Sequence, residues 1–116
     1  MLSRAFRVKT APQTLIKVAV QRGEHYVTVV LEGNHLMVYK IFPVDAFRVS
    51  LDLENVRSNL KFPELPVDHI LLTRIRIGQH KDKLRLVFDL KMALNKELKY
   101  AVRARGNQLA VRFVKV

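Results

Sequence analysis

A chain of 116 residues, 49% of them apolar, has the material for one domain with a real core, and no apolar run reaches the length of a membrane span. It has no cysteine, so disulfides are excluded and cysteine usage is silent on compartment. The 21 Lys/Arg against 10 Asp/Glu give +11, unevenly placed: residues 1–73 carry 9 basic and 7 acidic side chains, residues 74–116 carry 12 and 3. A surplus gathered in one half points to an anionic partner: nucleic acid, an acidic membrane surface or an acidic wall polymer.

Most of the chain reads as strands. The start, MLSRAFRVKTAPQT, is basic and has no apolar stretch of a secretory signal. It reads as a tail over 1–14 before a domain over 15–116, either cytoplasmic or a mature or excised piece of an exported protein. LIKVAV (15–20) and YVTVVLE (26–32) flank QRGEH, a hairpin-like turn containing Gly23. Gly33-Asn34 suits a tight reversal with positive φ, and LMVYKIF (36–42) follows. FRVSLDL (47–53) alternates strictly. ENVRSNLKFPELPVDH (54–69) loses that period, holds Pro63 and Pro66, and reads as a long surface connection. ILLTRIRIG (70–78) resumes strand character, QHKDK turns the chain, and LRLVFDL (84–90) alternates again. KMALNKELK (91–99) has room for one turn of helix, and YAVRARG (100–106) with QLAVRFVKV (108–116) forms a closing hairpin around Gly106-Asn107.

Two repeats organise these elements. DAFRVSLDL (45–53) and DKLRLVFDL (82–90) share Asp-x-apolar-Arg-apolar-x-apolar-Asp-Leu. Their apolar positions, Phe47 and Phe88 included, form one face, and Arg48, Asp52, Arg85 and Asp89 the other. YVTVVLEGNHLMVY (26–39) likewise resembles YAVRARGNQLAVRF (100–113), sharing Gly-Asn-x-Leu-x-Val. The order hairpin, motif strand, loop, motif strand, hairpin predicts an all-β, pseudo-symmetric sandwich of two like sheets.

No catalytic constellation is legible. The four histidines lie in or beside turns without metal-ligand spacing, and Ser3, Ser50 and Ser58 sit in no nucleophile elbow. No Gly-rich phosphate loop occurs among the four glycines. Asp52 and Asp89 each have an Arg four residues back, which favours ionised carboxylates in cross-strand ion pairs over an acid/base couple. No enzyme, metal or cofactor is expected. The outward arginines carry more information. Arg74, Arg76, Arg85, Arg103, Arg105 and Arg112 all alternate with apolar residues. If their strands share a sheet, six guanidinium groups crowd one face and repel unless Asp82, Asp89 or a ligand offsets them. Guanidinium forks suit carboxylates, phosphates and sugar edges, although a plain solvated face also tolerates them. An RNA-binding sheet adds exposed aromatic rings for stacking. This chain has no Trp, and only Tyr26, Tyr39 and Tyr100 are available, which argues against a nucleic-acid partner.

The order of these motifs resembles a known family. IRIGQHKDKLRLVFDLKMALNKELKYAVRARGNQLAVRF (75–113), preceded by VTVVLEGNHLMVYKIFPVDAFRVSLDLENV (27–56), is similar to the AMIN domain over about residues 15–116. The resemblance implies two symmetric β-sheets with like motifs on their outer faces. It further implies a non-catalytic module of cell-wall amidases and type IV pilus secretins that binds peptidoglycan and places its parent protein in the periplasm or envelope, at the septum or a pilus. The motif positions that carry over are Arg48, Asp52, Arg85 and Asp89. With Arg74, Arg76, Arg103, Arg105 and Arg112 they form the expected ligand-binding set, the arginines on carboxylates or phosphates and the aspartates orienting them or accepting sugar hydroxyls. The alternative is a docking module for envelope proteins of a pilus or division assembly.

Overall fold

The computed structural model describes residues 12–116. It is all-β, with β1 (Gln13–Arg22), β2 (Tyr26–Gly33), β3 (Tyr39–Asp45), β4 (Arg48–Glu54) and β5 (Val56–Ser58) followed by β6 (Glu64–Pro66), β7 (Leu72–Gln79), β8 (Lys83–Leu90), β9 (Leu98–Arg105) and β10 (Gln108–Lys115). Two five-stranded sheets form the expected sandwich: sheet A in the order β5-β1-β2-β10-β9, sheet B in the order β3-β4-β8-β7-β6. Period-two alternation places Val27, Val29 and Leu31 of β2 beside Leu109, Val111 and Phe113 of β10 on the inner face of sheet A. Val49, Leu51 and Leu53 of β4 and Leu84, Leu86 and Phe88 of β8 do the same for sheet B. The sheets meet through Phe88 and Phe113, both fully buried, with ring centroids 5.3 Å apart. Among the described residues no helix is long and apolar enough to cross a membrane.

The topology explains the doubled motif. β4 and β8 are antiparallel neighbours at the centre of sheet B, and Ser50 lies opposite Val87, the same position of the other copy. A local two-fold therefore runs through that pair, setting Arg48 opposite Asp89 and Asp52 opposite Arg85. Writing the motif twice makes each arginine face the other copy's aspartate across a strand gap of about 4.8 Å. Both motif strands thus belong to sheet B, so the like motifs expected on the outer faces of two sheets lie side by side on one, and the closing hairpin with β2 belongs to sheet A.

Several expectations are corrected. Residues 26–39 form no hairpin, because β2 and β3 lie in different sheets. Gly33 is not among the positive-φ residues, whereas Gly106, at φ 60°, does turn the β9–β10 hairpin. The chain crosses between sheets over 34–38 and buries Met37 on the way. The two Gly-Asn segments instead bond to each other, Gly33 N–H donating to Asn107 O (3.0 Å) and Asn107 Nδ2 to Gly33 O (2.8 Å). Residues 54–69 include two short edge strands, β5 parallel to β1 and β6 beside β7. Residues 91–97 hold no helix, only a turn closed by Glu97 N–H on Ala93 O, and Leu98 and Lys99 already belong to β9. Phe47 is 49% exposed, since the β3–β4 turn ends on it, its N–H donates to Asp45 Oδ1, and alternation starts only at Arg48. Residues 1–11 of the expected tail lie outside the described residues, and Gln13 and Thr14 already pair with β5.

Candidate functional site

The outer face of sheet B is an ion-pair lattice. Asp52, only 5% exposed, accepts from Arg85 Nε at 2.6 Å and Nη2 at 2.9 Å, with Lys83 Nζ at 3.3 Å. The bonds from Arg85 hold its carboxyl below the usual aspartate range, against burial, with Lys83 helping. Asp89 accepts from Arg76 Nε and Nη2 and from Arg74 Nε, each at 2.8 Å. Burial pushes Asp89 upward, but the bonds from Arg76 and Arg74 outweigh it and its pKa is lowered. Arg74 also reaches Glu64 Oε2 at 3.6 Å, and Arg85 lies over the Phe42 ring, 5.7 Å from its centroid. Arg48 departs from the two-fold. With Asp89 held by Arg74 and Arg76, Arg48 turns to Asp45, Nη2 to Oδ2 at 2.6 Å. The cross-strand ion pairs expected for Asp52 and Asp89 are present, and Arg48, Arg74, Arg76 and Arg85 all have carboxylate partners.

Sheet A differs. Its outer rows, read from register, are Gln21–Thr28–Arg112–Ala101, Ala19–Val30–Ala110–Arg103 and Lys17–Glu32–Gln108–Arg105. Arg112 is held in place: Nε donates to Thr28 Oγ1 at 3.0 Å, and its guanidinium lies 4.3 Å from the Tyr26 ring centroid. Gly23 lets that ring lie against the β1–β2 turn, since a Cβ there would overlap it. Among the described residues no carboxylate lies within ion-pair distance of Arg103, Arg105 or Arg112, and residues 1–11 contain no Asp or Glu. Lys17 and Lys99 add charge to this face, and Glu32, near Gln108 at 3.4 Å, is its one carboxylate among the described residues. Thr28, Ala101, Arg103, Ala110 and Arg112 line a shallow trough in which the alanines leave a gap between the arginines.

The six arginines expected on one face are therefore divided three and three between the outer faces of opposite sheets, because β7–β8 and β9–β10 belong to different sheets. Sequence reasoning missed Lys17, Thr28 and Lys99, and named Tyr26 only as a ring for stacking. The signal for the basic face was present: residues 98–116 hold five Lys/Arg and no Asp/Glu, so their arginines have no local carboxylate. Aromatic rings are scarce on this face, as Tyr26 is covered by Arg112 and Tyr100 packs inward on Phe113, centroids 6.2 Å apart. His69, 8% exposed, is a structural clamp: Nδ1 accepts from Leu71 N–H at 3.1 Å and Nε2 sits 2.8 Å from Gly23 O, joining the sheets at one end.

Comparison with the curated proteins finds no match. Comparison with known families matches residues 7–113, nearly the whole chain, to the AMIN domain. That match covers well over half of the chain, and the chain belongs to the AMIN domain family.

Proposed function

We propose that this chain is a non-catalytic peptidoglycan-binding domain that places a larger envelope protein, an amidase or a secretin, at the cell wall in the periplasm. The observation that carries the reading is the contrast between the sheets. Sheet B's outer arginines are held by aspartates, whereas Arg103, Arg105 and Arg112 face outward on the sheet that also carries Lys17 and Lys99, with no carboxylate partner among the described residues. Like charges kept adjacent on one face cost stability, so an anionic ligand that offsets them is a physical reason for their presence. The family assignment supports wall material as that ligand. A repeating polymer suits such a face, because each weak contact raises the effective concentration for the next. Arg74, Arg76, Arg85, Asp52 and Asp89 then serve mainly to hold sheet B together, with the binding residues on sheet A.

The test is co-sedimentation with nuclease-treated, protein-free sacculi at near-physiological salt. The native domain is expected to pellet, and a variant with Arg103→Gln and Arg105→Gln to stay in solution. If the variant pellets like the native domain, the site is elsewhere. If neither pellets, the wall-binding reading fails and docking to an envelope protein takes its place. A nucleic-acid ligand would instead show a salt slope of about 0.7–0.9 log unit per phosphate contact.

A further inference from the structure

Resting on the wall-binding reading, we infer that a free carboxylate of the wall's stem peptides, rather than the glycan, seats over Ala110 in the sheet A trough lined by Arg103 and Arg112, with Arg105 diagonal to Ala110 at its edge. Sheet B contains a filled counterpart. There Arg74-Ile75-Arg76 on β7 projects two arginines outward, and the β8 residue opposite Arg74 is Asp89. That carboxylate receives three N–H bonds, each at 2.8 Å. On sheet A, Arg103-Ala104-Arg105 on β9 repeats the arrangement, also antiparallel to its hairpin neighbour, and the β10 residue opposite Arg103 is Ala110. Ala110 therefore stands where Asp89 stands, and the second fork lacks its carboxylate. Arg112, fixed by Tyr26 and Thr28, lies diagonal to Arg103, at the roughly 7–8 Å of such neighbours, and closes the far side.

The chemistry of the empty place is specific. Two guanidinium forks over a methyl floor offer N–H donors and no acceptor, which fits a carboxylate and not a sugar hydroxyl that must also donate. A sugar ring is further disfavoured by the lack of a free aromatic face, since Arg112 covers Tyr26. Stem peptides supply carboxylates on short, flexible arms able to reach a shallow trough. Phosphate polymers share the anionic chemistry, so the two sources are separated by experiment.

The decisive variant is Ala110→Asp, which adds the missing carboxylate in place and leaves every arginine intact. Ala110→Asn, nearly isosteric and neutral, is its control. Binding is measured by co-sedimentation of the full chain with sacculi stripped of phosphate polymers by hydrofluoric acid. A matched preparation has its peptide carboxylates converted to amides. The native chain and Ala110→Asn bind the acid-stripped sacculi. Ala110→Asp binds about tenfold or more weaker, with a thermal midpoint raised by a few degrees as the fork becomes paired. Amide-capped sacculi lose native binding to a similar extent. Equal binding to capped and uncapped sacculi, or full binding by Ala110→Asp, would overturn the carboxylate assignment while leaving wall binding in place. Binding present before acid stripping and lost after it would assign the trough to phosphate and overturn the inference. No binding to any sacculus would remove the wall reading and this inference together.

Discussion

Replacing Arg85 with alanine tests whether sheet B's lattice is structural. Asp52 has a side chain only 8% exposed and takes both of its short bonds from Arg85, whose own side chain is 34% exposed. Removing one member of a fully buried pair costs about 3–5 kcal/mol, because the remaining charge is left uncompensated. Here Lys83 still stands 3.3 Å from Asp52, and partial exposure of Arg85 screens the pair. Those two discounts bring the expected loss to about 2 kcal/mol. For a domain of this size that is a fall of roughly 8 °C in the thermal midpoint. The assay is urea and thermal unfolding followed by far-ultraviolet circular dichroism, since the chain has no Trp to report by fluorescence. Adding Asp52→Asn removes the stranded charge and should recover at least half of the loss. A loss in Arg85→Ala below about 0.5 kcal/mol would refute the reasoning and return Arg85 to the candidates for ligand binding.

Sheet A gives the opposite expectation. Arg103→Gln or Arg105→Gln relieves like-charge repulsion of about 0.6 kcal/mol in water at the roughly 6.7 Å between same-face neighbours along a strand, so unfolding at low salt should show stability unchanged or slightly raised. Acid should weaken the fold through Asp52 and Asp89. Both carboxyls are held below their unfolded value of about 3.9, so the unfolded chain binds protons first as pH falls. Stability is then full above roughly pH 4 and declines as pH drops toward the folded values, which a pH series of urea midpoints would trace. In the core, Phe113→Ala should cost about 4 kcal/mol through lost burial and the cavity left against Phe88 and Tyr100, seen as a lowered urea midpoint.

The strands were largely legible because alternation is a local property. Val49, Leu51 and Leu53, or Leu84, Leu86 and Phe88, declare their buried face within seven residues of chain. The ion pairs of Asp52 and Asp89 were legible for a related reason, as an acid and a base repeated on one strand face demand a cross-strand partner. Sheet membership was not. Whether β7–β8 and β9–β10 share a sheet depends on a crossover at 91–97, and nothing in KMALNKELK states which way the chain goes. The same limit hid the fate of Gly33-Asn34. The dipeptide equals Gly106-Asn107 in sequence, but the first leads between sheets and the second closes a hairpin, a choice made by the burial of Met37 and the partners waiting in sheet B. Phe47 falls outside the alternation because its N–H is taken by the turn that Asp45 fixes, and the local pattern FRVSLDL carries no sign of that turn. Arg48, read as Arg85's equivalent, has a different partner because only the second motif copy lies beside β7 with its two arginines.

That the basic outer face of sheet A, and not the motif face of sheet B, meets the wall is the central claim, and amide chemical-shift mapping tests it most directly. Soluble muropeptides with free carboxylates would be titrated into the isotopically labelled domain. The largest shifts are expected at Thr28, Ala101, Arg103, Arg105, Ala110 and Arg112, with β4 and β8 unmoved. Shifts centred on Arg48, Asp52, Arg85 and Asp89 would contradict the account and place binding on the repeated motif itself.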